Sequence, residues 1–112
     1  MDISKRDWKL FQERLSGWQE KYMEDLVKKY VNFLNDDTRL ASDKFWELEK
    51  RIKKDKCHPG VIMEVSKSEA LMDIVRLIRL KVITYDDLSD FSDELQQRVR
   101  RILEPLPDSV SS

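Results

Sequence analysis

Residues 5–35 read KRDWKLFQERLSGWQEKYMEDLVKKYVNFLN, and this stretch decides the fold class. Its large apolar residues recur at steps of 3, 4, 3 and 4, in the order Trp8, Phe11, Leu15, Trp18 and Tyr22. That spacing places them on one face of an α-helix, because a helix turns once in about 3.6 residues. The apolar face widens after residue 22, which predicts that the second half of the stretch lies deeper in the core.

Ser16 and Gly17 interrupt this pattern in the middle. Glycine weakens a helix interior, and a serine at this position can cap a new helix. We therefore expect a kink or break at residues 16–17, with separate helices at about 5–15 and 17–35. A single continuous helix of about thirty residues is the alternative.

The rest of the chain shows the same helical character. Only two glycines and three prolines occur, and this scarcity favours long helices over β-sheet turns. Apolar stripes and capping residues predict four further helices, at about 43–56, 60–80, 85–89 and 93–103. Thr84 and Ser92 can cap the last two of these, as Ser4 can cap the helix that begins at residue 5. Two helices, or a short strand at 61–65, are the alternatives within the segment 60–80. The second half of this segment is apolar on a broad face and should be the most buried element.

The sequence thus predicts an all-α fold, a compact bundle of five to six helices. At 112 residues the chain suits one domain, which we expect at 1–104, followed by a short polar tail at 105–112.

Composition excludes several classes of protein. Twenty-one Lys and Arg residues meet 22 Asp and Glu, so the net charge of −1 does not indicate a globally basic nucleic-acid binder. One cysteine allows no internal disulfide. No secretory signal follows the first residues, and no segment approaches the roughly 20 apolar residues of a membrane span. We expect a cytoplasmic protein with no membrane association.

Catalytic chemistry has little support in the sequence. Cys57 and His58 are adjacent, whereas a nucleophile and its base need side chains that face each other, usually from distant positions. A metal site would need further ligands, and only carboxylates are available. Two glycines cannot form a phosphate-binding loop. We expect no enzyme activity, no catalytic or metal-binding residues, no cofactor and no small-molecule substrate.

Two charged clusters and one tryptophan are the candidate interaction residues. Residues 50–56 hold five cations and one anion, and residues 85–94 hold five acidic side chains with Tyr85 and Phe91 among them. Trp46 lies beside the apolar stripe of its helix, as an interface anchor does. A solvated helix face and helix capping are the alternatives for the two clusters. The candidate surface comprises Trp46, Lys50, Arg51, Lys53, Lys54, Lys56, Asp86, Asp87 and Asp90.

These residues predict a small interaction protein that binds a protein partner or itself through charged and aromatic surfaces. A nucleic-acid-binding accessory or regulatory factor is the alternative. It requires two basic clusters to form one positive face, namely Lys50, Arg51, Lys53, Lys54, Arg98, Arg100 and Arg101.

Several segments resemble a group of short proteins from gut-type Firmicutes. The resemblance is carried by KRDWK at 5–9, FWELEKRI at 45–52, HPGV at 58–61, DIVRLI at 73–78, VITYDDL at 82–88 and FSDEL at 91–95. Members of that group are often carried on plasmids and conjugative elements, without an established activity. The resemblance implies a mobile-element accessory that modulates a protein partner, and it assigns no site residue.

Overall fold

The computed structural model describes residues 3–104, and its regular structure is entirely helical. No strand occurs in this part of the chain, so the all-α prediction is confirmed, whereas the count of five to six helices is wrong. The predicted tail at 105–112 lies outside the described residues. The four α-helices are α1 (Lys5–Leu34), α2 (Ala41–Asp55), α3 (Ala70–Arg79) and α4 (Asp93–Leu103), with short 3₁₀ turns at Lys67–Glu69 and Tyr85–Leu88.

The contacts between residues gather in two compact units rather than in the one compact bundle that the sequence predicts. The first unit comprises the residues up to Leu15 and those from Glu64 onward, and the second is Ser16–Met63. Helix α1 contributes residues to both units. The single domain over 1–104 stays a prediction.

The break predicted within the first helix is absent, and α1 is continuous. It begins as predicted at Ser4, whose Oγ accepts a hydrogen bond of 3.1 Å from the N–H of Asp7. A glycine inside a helix costs about 1 kcal/mol. That cost at Gly17 is small beside the burial of Phe11 and Trp18 on either side, which favours one helix.

The helix predicted at 60–80 is shortened to its second half. Residues 62–66 have no regular structure, and α3 begins only at Ala70. The N–H groups of Val61 and Ile62 both donate to the carbonyl oxygen of His58, at 2.8 and 3.0 Å, which closes a turn there. β-Branched side chains also lower the helix propensity of this segment.

Two other boundaries differ from the prediction. Helix α2 begins at Ala41 without a side-chain cap, two residues before the predicted start. The short helix predicted at 85–89 is a single 3₁₀ turn, in which the N–H of Thr84 donates to Asp87 Oδ2 at 2.8 Å. The capping role predicted for Thr84 is confirmed by this turn.

The core of the first unit forms where α3 packs against α4. Five of the ten residues of α3 are buried, which confirms that the second half of 60–80 is the most buried element. Leu95 and Val99 of α4 and Phe11 of α1 are buried as well. α4 itself follows the predicted bounds closely, because Ser92 caps it and its apolar stripe has helical spacing.

A buried carboxylate ties the start of α1 to the start of α4. Asp7 is only 2% exposed. Its Oδ1 accepts from the N–H of Ser92 at 3.0 Å, and its Oδ2 accepts from the hydroxyl of Ser92 at 2.5 Å. The hydroxyl oxygen of Ser92 in turn accepts from the N–H of Leu95 at 3.2 Å. Since a buried carboxylate must be hydrogen-bonded, this cluster fixes the position at which α4 begins.

The second unit buries much less apolar surface. Its buried apolar side chains are Trp18 and Phe33, so the prediction that the second half of α1 lies deeper is wrong. Eight of the ten large apolar side chains that the described residues expose belong to this unit. Helix α2 buries none of its residues, and therefore it leaves the wide face of α1 largely uncovered. The eight are Val27, Val31, Leu34, Leu40, Phe45, Trp46, Ile52 and Ile62.

We expect Ser92→Ala to lower the free energy of unfolding by about 2–3 kcal/mol, because it removes the cap of α4 and one donor to a buried carboxylate. Urea denaturation followed by circular dichroism measures the change. Ser89→Ala is the matched control, since Ser89 is exposed and its hydroxyl bonds to no described residue. The control should change stability by less than about 0.5 kcal/mol. Equal losses in both variants would contradict the role of Ser92.

Candidate interaction surface

Helix α2 is amphipathic and yet has no buried residue. Phe45 and Trp46 are each 63% exposed, and their rings meet edge to face with centroids 4.9 Å apart. Trp46, a candidate interface anchor from its place beside the apolar stripe, is thus exposed. The exposure of Phe45 was not predicted, because its position in the apolar stripe of α2 indicates a core residue. Its neighbour Trp46, off the stripe, is the one signal that could have drawn attention to it.

An apolar hollow lies in the second unit, where α1 faces α2. Its volume is about 230 Å³, and nearly all of its surface is apolar. Two of the three polar residues at the hollow are bonded to each other, since the hydroxyl of Tyr30 donates to Asp55 Oδ2, and the third is Lys56. The lining residues are Met23, Leu26, Val27, Tyr30, Ile52, Asp55, Lys56 and Val61.

A second, larger groove follows α2 itself, with a volume of about 370 Å³. Ile52 and Lys56 line both the groove and the hollow, so the two form one apolar surface with a shared border. We refer to this surface, together with Trp46, as the α2 face. The groove is lined by Phe45, Leu48, Glu49, Ile52, Lys53 and Lys56.

The cations of residues 50–56 fall into two kinds. Arg51 is used inside the unit: its Nε donates to Glu47 at 3.1 Å, and its guanidinium carbon lies 4.0 Å from the centre of the Phe33 ring. The four lysines are exposed, and their ammonium groups make no ion pair or hydrogen bond with any described residue. The lysines available to a partner are therefore Lys50, Lys53, Lys54 and Lys56.

The loop after α2 packs against α1 through an aromatic stack. The rings of Tyr22 and His58 lie 4.6 Å apart and nearly parallel, at 6°. His58 Nδ1 accepts from the N–H of Gly60 at 2.9 Å, and Gln19 Nε2 donates to the carbonyl oxygen of Pro59 at 2.9 Å. His58 thus has a structural role in this loop, while the neighbouring thiol of Cys57 is exposed.

The predicted acidic residues belong to the first unit, whereas the α2 face belongs to the second. Asp90 Oδ2 pairs with Arg14 at 2.7 Å, and Asp87 accepts from the N–H of Thr84. Only Asp86, which is exposed, makes no side-chain bond with the described residues. Of the three acidic residues predicted for the interaction surface, Asp87 and Asp90 are therefore already bonded to other residues of the protein.

The second basic cluster also belongs to the first unit. Arg100 lies over the ring of Tyr85, with its guanidinium carbon 4.0 Å from the ring centre, and its Nη1 lies 3.9 Å from Glu104. Arg98 is half-buried and Arg101 is exposed. The two basic clusters of the nucleic-acid interpretation thus lie in different units, and their predicted union into one positive face stays a prediction.

One half-buried acid stands out among the described residues. Asp73 lies within α3, and its Oδ2 atom is buried without a hydrogen-bond partner. Burial, followed by repulsion from Glu69, raises the pKa of Asp73. Within residues 3–104 no three His, Cys, Asp or Glu side chains cluster as metal ligands would. A single carboxyl group does not by itself define a reaction.

Comparison with known proteins adds no further site, since no protein family, curated protein or solved structure matches the chain. Within the described residues, no helix combines the length and the hydropathy that crossing a bilayer requires.

The ionisation of the Tyr30 phenol tests whether the hollow is packed as described. Burial and the hydrogen bond to Asp55 raise the pKa of Tyr30 to about 12. The folded-state pKa lies above the ordinary value of 10.0, so the protonated phenol of Tyr30 stabilises the folded protein. This stabilisation is complete below pH 10 and is lost as the pH rises towards 12. Absorbance titration of the wild type minus Tyr30→Phe should show a single phenol ionising near pH 12.

Asp55→Asn should move that ionisation towards pH 10, because it removes the charge that opposes phenolate formation. The unfolding midpoint of Tyr30→Phe should also vary less between pH 10 and 12 than that of the wild type. A difference titration already centred near pH 10 in the wild type would contradict the buried contact.

The close approach of Gly60 to Tyr22 gives a second expectation. A Cβ added at Gly60 would lie 2.6 Å from Cγ of Tyr22, whose ring is held by His58, whereas a Cβ at Gly17 meets no atom within 4 Å. We expect Gly60→Ala to destabilise the protein by about 1–3 kcal/mol. Gly17→Ala should stabilise it by about 0.5–1 kcal/mol. Chemical denaturation compares the two variants, and a neutral Gly60→Ala would contradict the packing described.

Proposed function

We propose that the chain is a non-enzymatic helical interaction protein whose α2 face binds a protein partner. The observation that carries this proposal is the exposure of an amphipathic helix with no buried residue. Exposed apolar surface of this extent is typical of interaction sites on soluble proteins. Burial of a large apolar side chain contributes on the order of 2 kcal/mol, so Phe45 and Trp46 are suited to act as anchors.

The size of the hollow favours a protein over a free small molecule. Small-molecule sites have volumes of roughly 300–1,000 Å³ and a few polar groups that orient the ligand. The hollow alone is smaller, at about 230 Å³, and Tyr30 and Asp55 bond to each other, which leaves only Lys56 there to orient a ligand. Such a cavity suits one or two apolar side chains presented by a partner.

The nucleic-acid alternative is supported by the four free lysines and by the exposed rings of Phe45 and Trp46, on which bases could stack. Two observations favour a protein instead. Arg51, the residue of this cluster best suited to phosphate, is held by Glu47 and Phe33. The hollow beside the lysines is almost entirely apolar, which suits an apolar side chain better than a phosphate or a sugar.

The resemblance to the short Firmicute proteins extends the proposal. On that basis the protein acts in the cytoplasm as an accessory of a mobile element, and its partner is a protein of the host or of the element. The resemblance supports only the cellular context and the origin of the partner, since it assigns no binding residue.

Peptide selection tests the proposed function while the partner is still unidentified. A displayed random peptide library is selected against the intact protein, and the enriched peptides are measured against Phe45→Ser/Trp46→Ser. We expect at least about a tenfold loss of affinity, because both anchors are removed.

The matched control is Leu40→Ser/Ile62→Ser, which removes two apolar side chains of similar exposure, 69% and 62%, that do not line the hollow or the groove. It should change affinity by less than about threefold. Enrichment of no peptide, or equal binding to the Phe45→Ser/Trp46→Ser variant, would refute the proposed function.

A further inference from the structure

The apolar residues of α2 have the spacing of one half of a two-helix seam. Ala41, Phe45, Leu48 and Ile52 follow one another at steps of 4, 3 and 4. This alternation is the one by which two helices pack side by side, with each side chain inserted between those of the other helix. Since α2 buries none of these residues, no helix among residues 3–104 fills the seam, and the occupant that fits the groove is a helix.

The charge beside the seam specifies the chemistry of that helix. Lys53 and Lys56 line the groove, and their ammonium groups contact no acidic group among the described residues. The nearby acids are largely committed within the unit, because Glu47 pairs with Arg51 and Asp55 accepts from a tyrosine. Glu49 alone opposes the lysines at the groove. A partner with acidic residues flanking its apolar face would therefore complement this border.

A second folded copy of this chain does not supply such a helix from its most acidic segment. The apolar residues within 86–95 are Leu88, Phe91 and Leu95, and all three are buried in the first unit. Two of the acidic residues of that segment, Asp87 and Asp90, are bonded within the fold. The segment thus offers charge without an apolar anchor.

We propose that the α2 face receives an acidic amphipathic helix of another protein. Its apolar side chains pack along Phe45, Leu48 and Ile52, one further apolar side chain enters the hollow beside Val27, and its carboxylates face Lys53 and Lys56. This inference rests on the proposed function and adds to it the chemistry and the binding mode of the partner.

Three helical peptides test it, identical in a leucine and phenylalanine face and differing only in their polar positions, which carry glutamate, glutamine or lysine. Isothermal titration calorimetry with the intact protein measures each affinity. The glutamate peptide should bind with one-to-one stoichiometry, at least about tenfold more tightly than the lysine peptide. The difference in affinity between the glutamate and lysine peptides should decrease as salt is added, because the lysines of the protein are exposed.

Paired variants locate the binding on the α2 face. Lys53→Glu/Lys56→Glu should reverse the order of the glutamate and lysine peptides, whereas Lys28→Glu/Lys29→Glu, with the same change of charge on α1, should preserve it. Val27→Phe fills the hollow and should weaken the glutamate peptide by about tenfold or more. Val31→Phe, at a similarly exposed position outside the hollow, should have less than about a threefold effect.

Several results would overturn the inference. These are equal affinity for the three peptides, binding unaffected by the Lys53/Lys56 reversal, and tighter binding of a single- or double-stranded oligonucleotide than of the glutamate peptide. Sedimentation showing a dimer of the protein alone that Trp46→Ser abolishes would also overturn it, because the occupant would then be a second copy.

The library selection separates this inference from the proposed function. Selected peptides that need Phe45 and Trp46 but lack an acidic apolar-faced pattern leave the proposed function standing and refute the acidic helix. If no peptide binds the α2 face, both are refuted.

Discussion

The bond between the buried carboxylate of Asp7 and Ser92 is the interaction on which the first unit depends. One carboxylate accepts from both the N–H and the hydroxyl of Ser92, and the same hydroxyl oxygen caps α4. This arrangement fixes the start of α4, and Leu95 and Val99, one and two turns further on, then reach the core formed with α3. The unit satisfies its most costly buried charge and its apolar surface together.

The second unit is held by a different kind of contact. Three contacts hold it together. The guanidinium of Arg51 lies over the ring of Phe33, the hydroxyl of Tyr30 donates a hydrogen bond to Asp55, and the ring of His58 stacks on Tyr22. These pairs join elements through rings and polar groups rather than through aliphatic packing. As a consequence, the aliphatic residues of the α2 face are not needed to hold the unit together and stay at its surface. Exposed side chains of this kind add little to folding and much to association.

The sequence was informative wherever local chemistry decides structure. The caps at Ser4, Thr84 and Ser92 and the helical spacing of α4 depend on neighbouring residues, and the structure confirms them. The role of Asp7 could not be inferred, because its partner lies 85 residues away and no local pattern links them. Tertiary burial on either side likewise outweighed the local cost of Gly17.

The candidate site was predictable only in part, for a related reason. Trp46 could be recognised from its position beside the stripe, while Phe45 and Val27 have the helical periodicity of core residues. Periodicity shows which face of a helix is apolar, but not whether the protein has enough partners to cover that face. In the second unit the number of apolar faces exceeds the number of elements that could bury them, and no single segment of sequence reveals such an imbalance.

The division of cations on α2 completes the physical description of the face. Arg51 has a planar guanidinium that stacks on Phe33, and it is the cation used within the fold. The lysines are flexible point charges that can follow carboxylates placed at slightly different positions. Because the whole chain has a net charge of only −1, their attraction acts over about a Debye length around α2 rather than over the entire molecule. Apolar anchoring then determines how tightly a partner is held, and the lysines determine which partner approaches in the correct orientation.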